Sequence, residues 1–387
     1  MKLMMTGLIS LKVITITDLH LDVPSVPVPV LIRHLNIWLD KNSKRFEEAD
    51  IFIINGDLFH RAVSLMNTPT IEIINWIISI LELCKKYDLI FRILDGTGSH
   101  DYHQSRIFVP LFKALQLGDA KFINDVTVEN IKGFNVGWIP DNKGTANSVK
   151  RQLVNAMSMA NIDELNLLNI HSAFAFNLPP QALSKNTLDE QSFIALVKGI
   201  ILNGHIHTPM TYEDVIITIG SFDTYNHGEE MDKGGLFLTL FKDDQNNVTY
   251  TKQFLKNQNV TIFKTIDLSS KRYDTIPKSL TRIGQVIKPL LRDREHINIR
   301  LILQPDHPLL LTKSISVLPP GLINWKFERV KDKSKDLNVD DLNGTIAEEQ
   351  LVITKDNIIE VLDEFSSNRE IDNQHIVLST IQELLND

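Results

Sequence analysis

Ile51-Phe52-Ile53-Ile54-Asn55-Gly56-Asp57-Leu58-Phe59-His60-Arg61 decides the fold. A short Ile-rich run that stops at Asn-Gly predicts a buried strand ending abruptly. Asp57 then falls at the strand's carboxyl end, where open α/β sheets place their ligands. A carboxylate held there has two oxygens with which to face two cations. The rest of the chain is expected to bring other ligands to it.

Outward from this strand, the pattern alternates. Lys12–Thr17 predicts a strand that ends in Asp18-Leu19-His20. Helical spacing runs from Val28 to about Arg45, and again from Thr68 to Lys86. Leu89–Leu94 predicts a third strand, leading into Asp95-Gly96-Thr97-Gly98-Ser99-His100-Asp101. A helix at Gln104–Leu115, short strands near 120–138 and a helix near 145–159 follow. Leu165–Ile170 predicts a strand ending at His171, and Ile200–Leu202 one ending in Asn203-Gly204-His205-Ile206-His207. Val215–Ile219 and a hairpin over 236–250 add further strands. The expected fold class is α/β, with two packed mixed sheets flanked by helices.

From Val260 the rhythm changes. Strand, helix, strand, short helix and strand over 260–329 predict a small separate α/β unit. The expected organisation is residues 1–258, a small domain at 259–330, a linker at 331–353 and a helical tail at 354–387.

The chain has 387 residues and one cysteine, Cys84. A disulfide framework and a thiolate metal site are excluded, which fits a reducing, cytoplasmic setting. No stretch is apolar and long enough to span a bilayer, so no membrane partner is expected. The start, Met1 to Leu11, lacks a signal-peptide layout and is expected to be an extension. The net charge of −8 hides a gradient. Residues 251–300 carry 11 Lys/Arg against 4 Asp/Glu, whereas 331–387 carry 5 against 14. A basic segment and an acidic tail point to different partners.

Five strand ends present, in order, Asp18/His20, Asp57, Ser99/His100, His171 and His205/His207. One histidine at a strand tip is usually structural, but these tips hold five of the chain's twelve, and His60 just after Asp57 makes a sixth. Alternate residues of an extended segment share a side, so Asp18/His20 and His205/His207 are expected to act as pairs. Carboxylates and imidazoles without thiolates suit Mn²⁺, Zn²⁺ or Fe. Two such metals sharing a carboxylate make a site for in-line attack on phosphorus.

This pattern resembles the calcineurin-like metallophosphoesterases. The matching residues are Asp18-Leu19-His20, Gly56-Asp57, Gly98-Ser99-His100-Asp101, His171 and Gly204-His205-Ile206-His207. Gly56-Asp57-Leu58-Phe59-His60 is similar to the double-strand-break repair nucleases of the SbcD type, phage recombination nucleases among them. The resemblance covers about residues 12–255, and more weakly the small domain after them. It implies a two-metal DNA nuclease, a 3′–5′ exonuclease with single-strand endonuclease activity, using two divalent ions, best Mn²⁺. Asp18, His20, Asp57 and His207 would hold one ion, and Asp57, His171, His205 and Ser99 the other. His100 would act on the leaving oxygen and His60 would position the strand.

The family's Asn is replaced here by Ser99, so the second metal is expected to bind more weakly. Arg61, Lys271, Arg272, Lys278 and Arg282 are the expected DNA contacts. The tail is similar to the family's docking element for an SMC-like coiled-coil ATPase of the SbcC type. A homodimer seam is expected on the helices at 68–86 and 104–115, with Trp76, Phe108 and Phe112 either forming it or packing in the core. The rivals are a phosphatase or cyclic-nucleotide phosphodiesterase on the same fold, and a scaffold that has lost the second metal.

Overall fold

The computed structural model describes residues 8–63, 68–141, 144–290, 296–310 and 323–329, all within one compact unit, Met1–Val330. The proposed linker and helical tail lie outside the described residues. In chain order the elements are β1 (Ile9–Ile16), α1 (Val28–Lys41), α2 (Ser43–Glu48), β2 (Ile51–Ile54), α3 (Thr68–Lys86), β3 (Ile90–Leu94), α4 (Gly98–Asp101) and α5 (Phe108–Leu115). Then come β4 (Ala120–Ile123), β5 (Thr127–Ile131), β6 (Phe134–Ile139), α6 (Ala146–Met159), β7 (Leu165–His171), α7 (Glu190–Ile194), β8 (Val197–Gly204), β9 (Met210–Tyr212) and β10 (Ile216–Thr218). The last are β11 (Gly234–Lys242), β12 (Val248–Lys256), β13 (Ile262–Asp267), α8 (Ile276–Leu290), β14 (Ile297–Leu303) and β15 (Ile323–Arg329). The helix read as running from 28 to 45 is two, broken at Asn42, whose amide side chain donates to the Trp38 carbonyl.

Two six-stranded mixed sheets result, ordered β12-β11-β1-β2-β3-β4 and β5-β6-β7-β8-β10-β9. Strand alternation sorts the core into layers. Ile51 and Ile53 of β2 point inward and pack with Val136, Trp138, Leu167 and Leu202 of the second sheet. Phe52 and Ile54 point outward, against Leu35, Trp38, Trp76 and Phe108 of the flanking helices. On the far side, Leu168 and Ile170 meet Val149, Leu153 and Phe193. The architecture is therefore helix, sheet, sheet, helix, the two packed mixed sheets flanked by helices that the sequence pattern led to expect. Trp76, Phe108 and Phe112 belong to the first core and are buried, the core-packing alternative to a dimer seam. Among the described residues no helix is long and apolar enough to cross a membrane.

β1, β2 and β3 are mutually parallel, as are β6, β7 and β8. Their carboxyl ends carry the loops with Asp18, Asp57, His100, His171 and His205. The small sheet, β13-β14-β15, is all parallel. Its core joins Ile297, Ile299 and Leu301 to Ile283 and Ile287 of α8. Lys271, Arg272, Lys278 and Arg282 lie on or just before α8 and are exposed. Lys278 pairs with Asp274 at 2.9 Å.

The two large sheets are also tied at one edge by a buried cation. Arg92 of β3 makes a two-pronged bond to Glu129 of β5, at 2.6 and 2.9 Å, and a 2.8 Å ion pair with Asp119. Burial opposes ionisation of Glu129, but Arg92 and Lys121 outweigh it and hold its pKa below the ordinary 4.5. Glu129 therefore contributes stability above pH 4.5 that is lost as pH falls through its lowered value. Arg92→Met is expected to cost about 3–5 kcal/mol, because it strands a largely buried carboxylate. Urea denaturation at neutral and acid pH checks this: the variant should lose less stability on acidification than the wild type.

Candidate metal centre

The donor residues meet where the carboxyl ends of both sheets converge. Backbone strain puts them there. Asp18 (φ 51°), His20 (φ 48°), Asp57 (φ 48°) and His205 (φ 75°) all occupy the left-handed region, which non-glycine residues seldom adopt. The extended geometry expected for Asp-x-His and His-x-His is thus corrected: tight left-handed turns, not a pleat, swing these side chains inward. His205 and His207 accordingly serve different groups.

Asp18, His20 and His207 form one donor group, and Asp57, His171 and His205 another, each with its ligating atoms within 4.8 Å of one another. Asp57 lies between them. Its Oδ2 is 3.8 Å from His20 Nε2, and its Oδ1 is 3.2 Å from His171 Nε2. In the first group, Nε2 atoms of His20 and His207 face each other at 2.9 Å, and Asp18 Oδ1 lies 4.0 and 3.9 Å from them.

The other ring nitrogens are anchored. His171 Nδ1 donates to the Asn55 carbonyl at 2.6 Å, and His207 Nδ1 meets Glu229 Oε1 at 3.1 Å. Lys233, itself buried, holds Glu229 Oε2 at 2.9 Å. Such contacts fix the imidazole orientation a metal needs. The Asn55 side chain reaches across to the Ile170 carbonyl, tying the two sheets together at the site. Gly56 has φ 89°, and a Cβ there would lie 2.2 Å from His171 Nδ1. At Gly204 a Cβ would come within 2.6 Å of the Asn55 carbonyl oxygen. Both glycines allow the sheets to close on the cluster.

Ser99 is the one expected ligand that the described contacts do not bring to the cluster. It is exposed on α4, and no described contact joins it to Asp57 or His205. Thr97, two residues earlier, stands in that place. Its N–H donates to Asp57 Oδ1 at 2.5 Å, and its Oγ1 is 3.3 Å from Asp57 Oδ2 and 3.2 Å from His205 Nδ1. The loop is pinned this way by Asp101, whose oxygens accept the Gly96 and Phe59 N–H groups at 2.8 Å each. Reading Gly98-Ser99-His100-Asp101 as one unit concealed Thr97.

His100 and His60 stack with ring centroids 5.2 Å apart, and His100 lies 5.0 Å from His20. His100 Nδ1 donates to the His60 carbonyl at 3.0 Å. Arg61 does not reach the cluster; its guanidinium binds Asp22 at 2.7 and 3.2 Å. Glu229, Lys233, Asn55, Thr97 and Tyr225 were not singled out from sequence, and only the Asn-Gly-Asp context of Asn55 offered a signal.

The electrostatics favour cations. Burial opposes charging His171, yet Asp57 and Asp18 prevail and its pKa is pushed up to about 10. Burial, with repulsion from His207, His100 and His60, holds His20 well below its ordinary value despite Asp57. Burial would raise Asp57, but His171, His20 and the Thr97 N–H draw it down. Burial likewise opposes ionised Glu229, but His207 and Lys233 lower it to about 2. Asp18 Oδ1 is buried with no hydrogen-bond partner, a costly state unless a cation takes the lone pairs. Oxygen and imidazole donors without sulfur fit Mn²⁺, Zn²⁺ or Fe. A cavity of about 380 Å³ opens beside Thr97 and His205, lined also by Asp141 and Ser172.

Fold and site together define a two-sheet α/β protein with a carboxylate and imidazole cluster of a kind that can hold divalent metal. No protein-family model matches the chain. It is 24% identical over 289 residues, 72% of this chain and 93% of the relative, to "Putative phosphoesterase 244L" of Invertebrate iridescent virus 6. Similar solved structures include TT1561 of Thermus thermophilus, with TM-score 0.36, 9% identity, and coverage of 64% of this chain and 100% of that one. Another is AQ665 of Aquifex aeolicus, a protein of unknown function, with TM-score 0.23, 13% identity, and coverage of 49% and 89%.

Two outcomes are expected in calorimetric Mn²⁺ titrations. Glu229→Gln should weaken one of the two sites by about 10–100-fold, the usual effect of losing a group that orients a ligand. Thr97→Ala should weaken one site while Ser99→Ala leaves both unchanged; the reverse result would restore Ser99.

Proposed function

We infer that the protein is a metal-dependent phosphodiesterase that cuts DNA, as a 3′–5′ exonuclease and single-strand endonuclease in double-strand-break processing and recombination. The observation that carries this reading is the single carboxylate of Asp57 set between two imidazole-carboxylate groups. Asp18, His20, Asp57 and His207 would hold one divalent ion, and Asp57, His171, His205 and the Thr97 side chain the other, with Mn²⁺ the best candidate. Bound there, the pair would neutralise phosphate charge and make water a stronger nucleophile.

The chain's own residues supply the rest. His100, with Nδ1 committed to the His60 carbonyl, has its second ring nitrogen to offer a phosphate oxygen or the leaving oxygen. His60 is kept below its ordinary pKa by burial and by His100 and Arg61, so it favours a neutral imidazole. It can accept or donate one hydrogen bond to the same phosphate. Asn55 and Glu229 keep His171 and His207 from rotating away.

The SbcD-like Gly56-Asp57-Leu58-Phe59-His60 and the basic segment 251–300 favour DNA over a small substrate. The viral relative's name extends only to phosphoesterase and fits the phosphatase or cyclic-nucleotide rival equally. An SMC-like ATPase partner and a homodimer belong to the same proposal. With Trp76, Phe108 and Phe112 buried, the dimer seam would rest on Ile71 and Val109, exposed on α3 and α5.

The test is Mn²⁺-dependent digestion of end-labelled duplex and single-stranded DNA, beside an aryl phosphomonoester. Wild type should cut DNA. His100→Ser should cut it about 10²–10⁴-fold more slowly while binding Mn²⁺ normally, as expected for loss of a proton donor. Hydrolysis of the monoester alone would favour the phosphatase. Inert protein with a single-site Mn²⁺ isotherm would favour the scaffold.

A further inference from the structure

A cleft of about 310 Å³ is lined by Ser25, Tyr225, His227, Phe263, Asn298 and Arg300. The Tyr225 ring lies 5.3 Å from that of His20 and 5.7 Å from that of His207, and its hydroxyl donates to the Leu19 carbonyl at 2.5 Å. Tyr225 is thus one residue shared by the cleft and the donor cluster.

The small sheet forms the opposite wall, and strand alternation decides which residues it presents. Ile297, Ile299 and Leu301 point to α8. Asn298 and Arg300 consequently point the other way, toward the large sheets. Register pairs Asn298 with Phe263 and Arg300 with Thr265, so Phe263 and Thr265 share that face.

The wall is rigidly joined to the main body. His296 Nε2 and the Asn298 amide both donate to the Ser25 carbonyl, at 3.1 and 3.0 Å. Ser25 Oγ donates to the Tyr225 carbonyl at 2.9 Å. Asp223 accepts the Thr261 N–H at 2.7 Å and binds His34 at 2.6 Å, fixing the approach to β13. Within the cleft, His227 and Phe263 stand edge to face at 5.1 Å, and Arg300 Nε donates to Thr265 Oγ1 at 3.1 Å.

Two aromatic rings, a guanidinium and an amide around a half-open slot are the chemistry of an unpaired base and its phosphate. By contrast, the basic residues of α8 lie on the helix covering the sheet's other face. We propose that the cleft between Tyr225 and the β13–β14 face holds one unpaired nucleotide of single-stranded DNA beside the scissile phosphate. The base packs on Phe263 and His227, and Arg300 takes a phosphate. The proposal rests on the nuclease reading for its choice of substrate.

Binding of the full chain to a labelled oligothymidylate and to its abasic counterpart, by fluorescence anisotropy with Ca²⁺ in place of Mn²⁺, tests it without requiring cleavage. Wild type should prefer the oligothymidylate. Phe263→Ala should weaken that binding by about 5- to 150-fold, the range for one stacked base, and remove the preference. Phe263→Trp should restore it, which separates stacking from damage to the fold. Arg300→Gln should weaken both ligands and reduce the salt slope by about 0.7, one phosphate contact on a single strand. Equal binding of both ligands by wild type, or equal loss on both in Phe263→Ala, overturns the cleft. Base-dependent binding without Mn²⁺-dependent cutting would instead leave the cleft standing and remove the nuclease reading.

Discussion

The structure turns on forcing two carboxylates and four imidazoles together around Asp57 at the edge of two sheets. In a protein interior such a cluster is unstable unless positive charge balances it. His171 meets part of that need by keeping its proton, since its pKa is pushed up to about 10 by Asp57 and Asp18 after burial has opposed it. His20 lies against other histidines and cannot do the same. The cluster thus favours a proton on His171, while Asp18 Oδ1 has no hydrogen-bond partner and the Nε2 atoms of His20 and His207 face one another. Metal binding there would be coupled to proton release.

Holding this arrangement requires rigid supports outside the donors. Asn55 does the most for its size. Its carbonyl receives His171 and the Thr17 hydroxyl, and its amide spans to the second sheet. Glu229 and Lys233 play the matching part for His207. Four donors accept left-handed backbone to turn inward, a cost that the packed sheets beneath them offset. Strain confined to residues that face one another is what a pre-organised site requires.

In the proposed reading, the small sheet bears on substrate choice. Its apolar face is spent on α8, so its polar face is turned back toward the main body. On that reading, a nucleic-acid chain bound at the cluster meets Phe263 and Arg300 as well. A small phosphoester would not. Selection between them can thus come from a surface that takes no part in the chemistry.

Much of this was legible in the sequence, because it rests on local rules. Ile51–Ile54 ending in Asn-Gly-Asp, the period of two in the strands and the helical spacing of Thr68–Lys86 each specify an element through near neighbours. The order of histidines at strand tips indicated a cluster, and the geometry brings Asp18, His20, Asp57, His171, His205 and His207 together. What sequence could not supply was direction. Whether Thr97 or Ser99 faces Asp57 depends on Asp101 clamping two loops from different strands. The fate of Trp76, Phe108 and Phe112 depends on which helix face the sheet covers. Glu229 and Tyr225 become significant only when a segment about 200 residues from His20 folds back against the cluster, and Arg300 only when β14 pairs with β13. Composition and periodicity determined the elements and the donor types; tertiary packing alone decided which side chains meet, because a contact between distant segments leaves no periodic trace in either one.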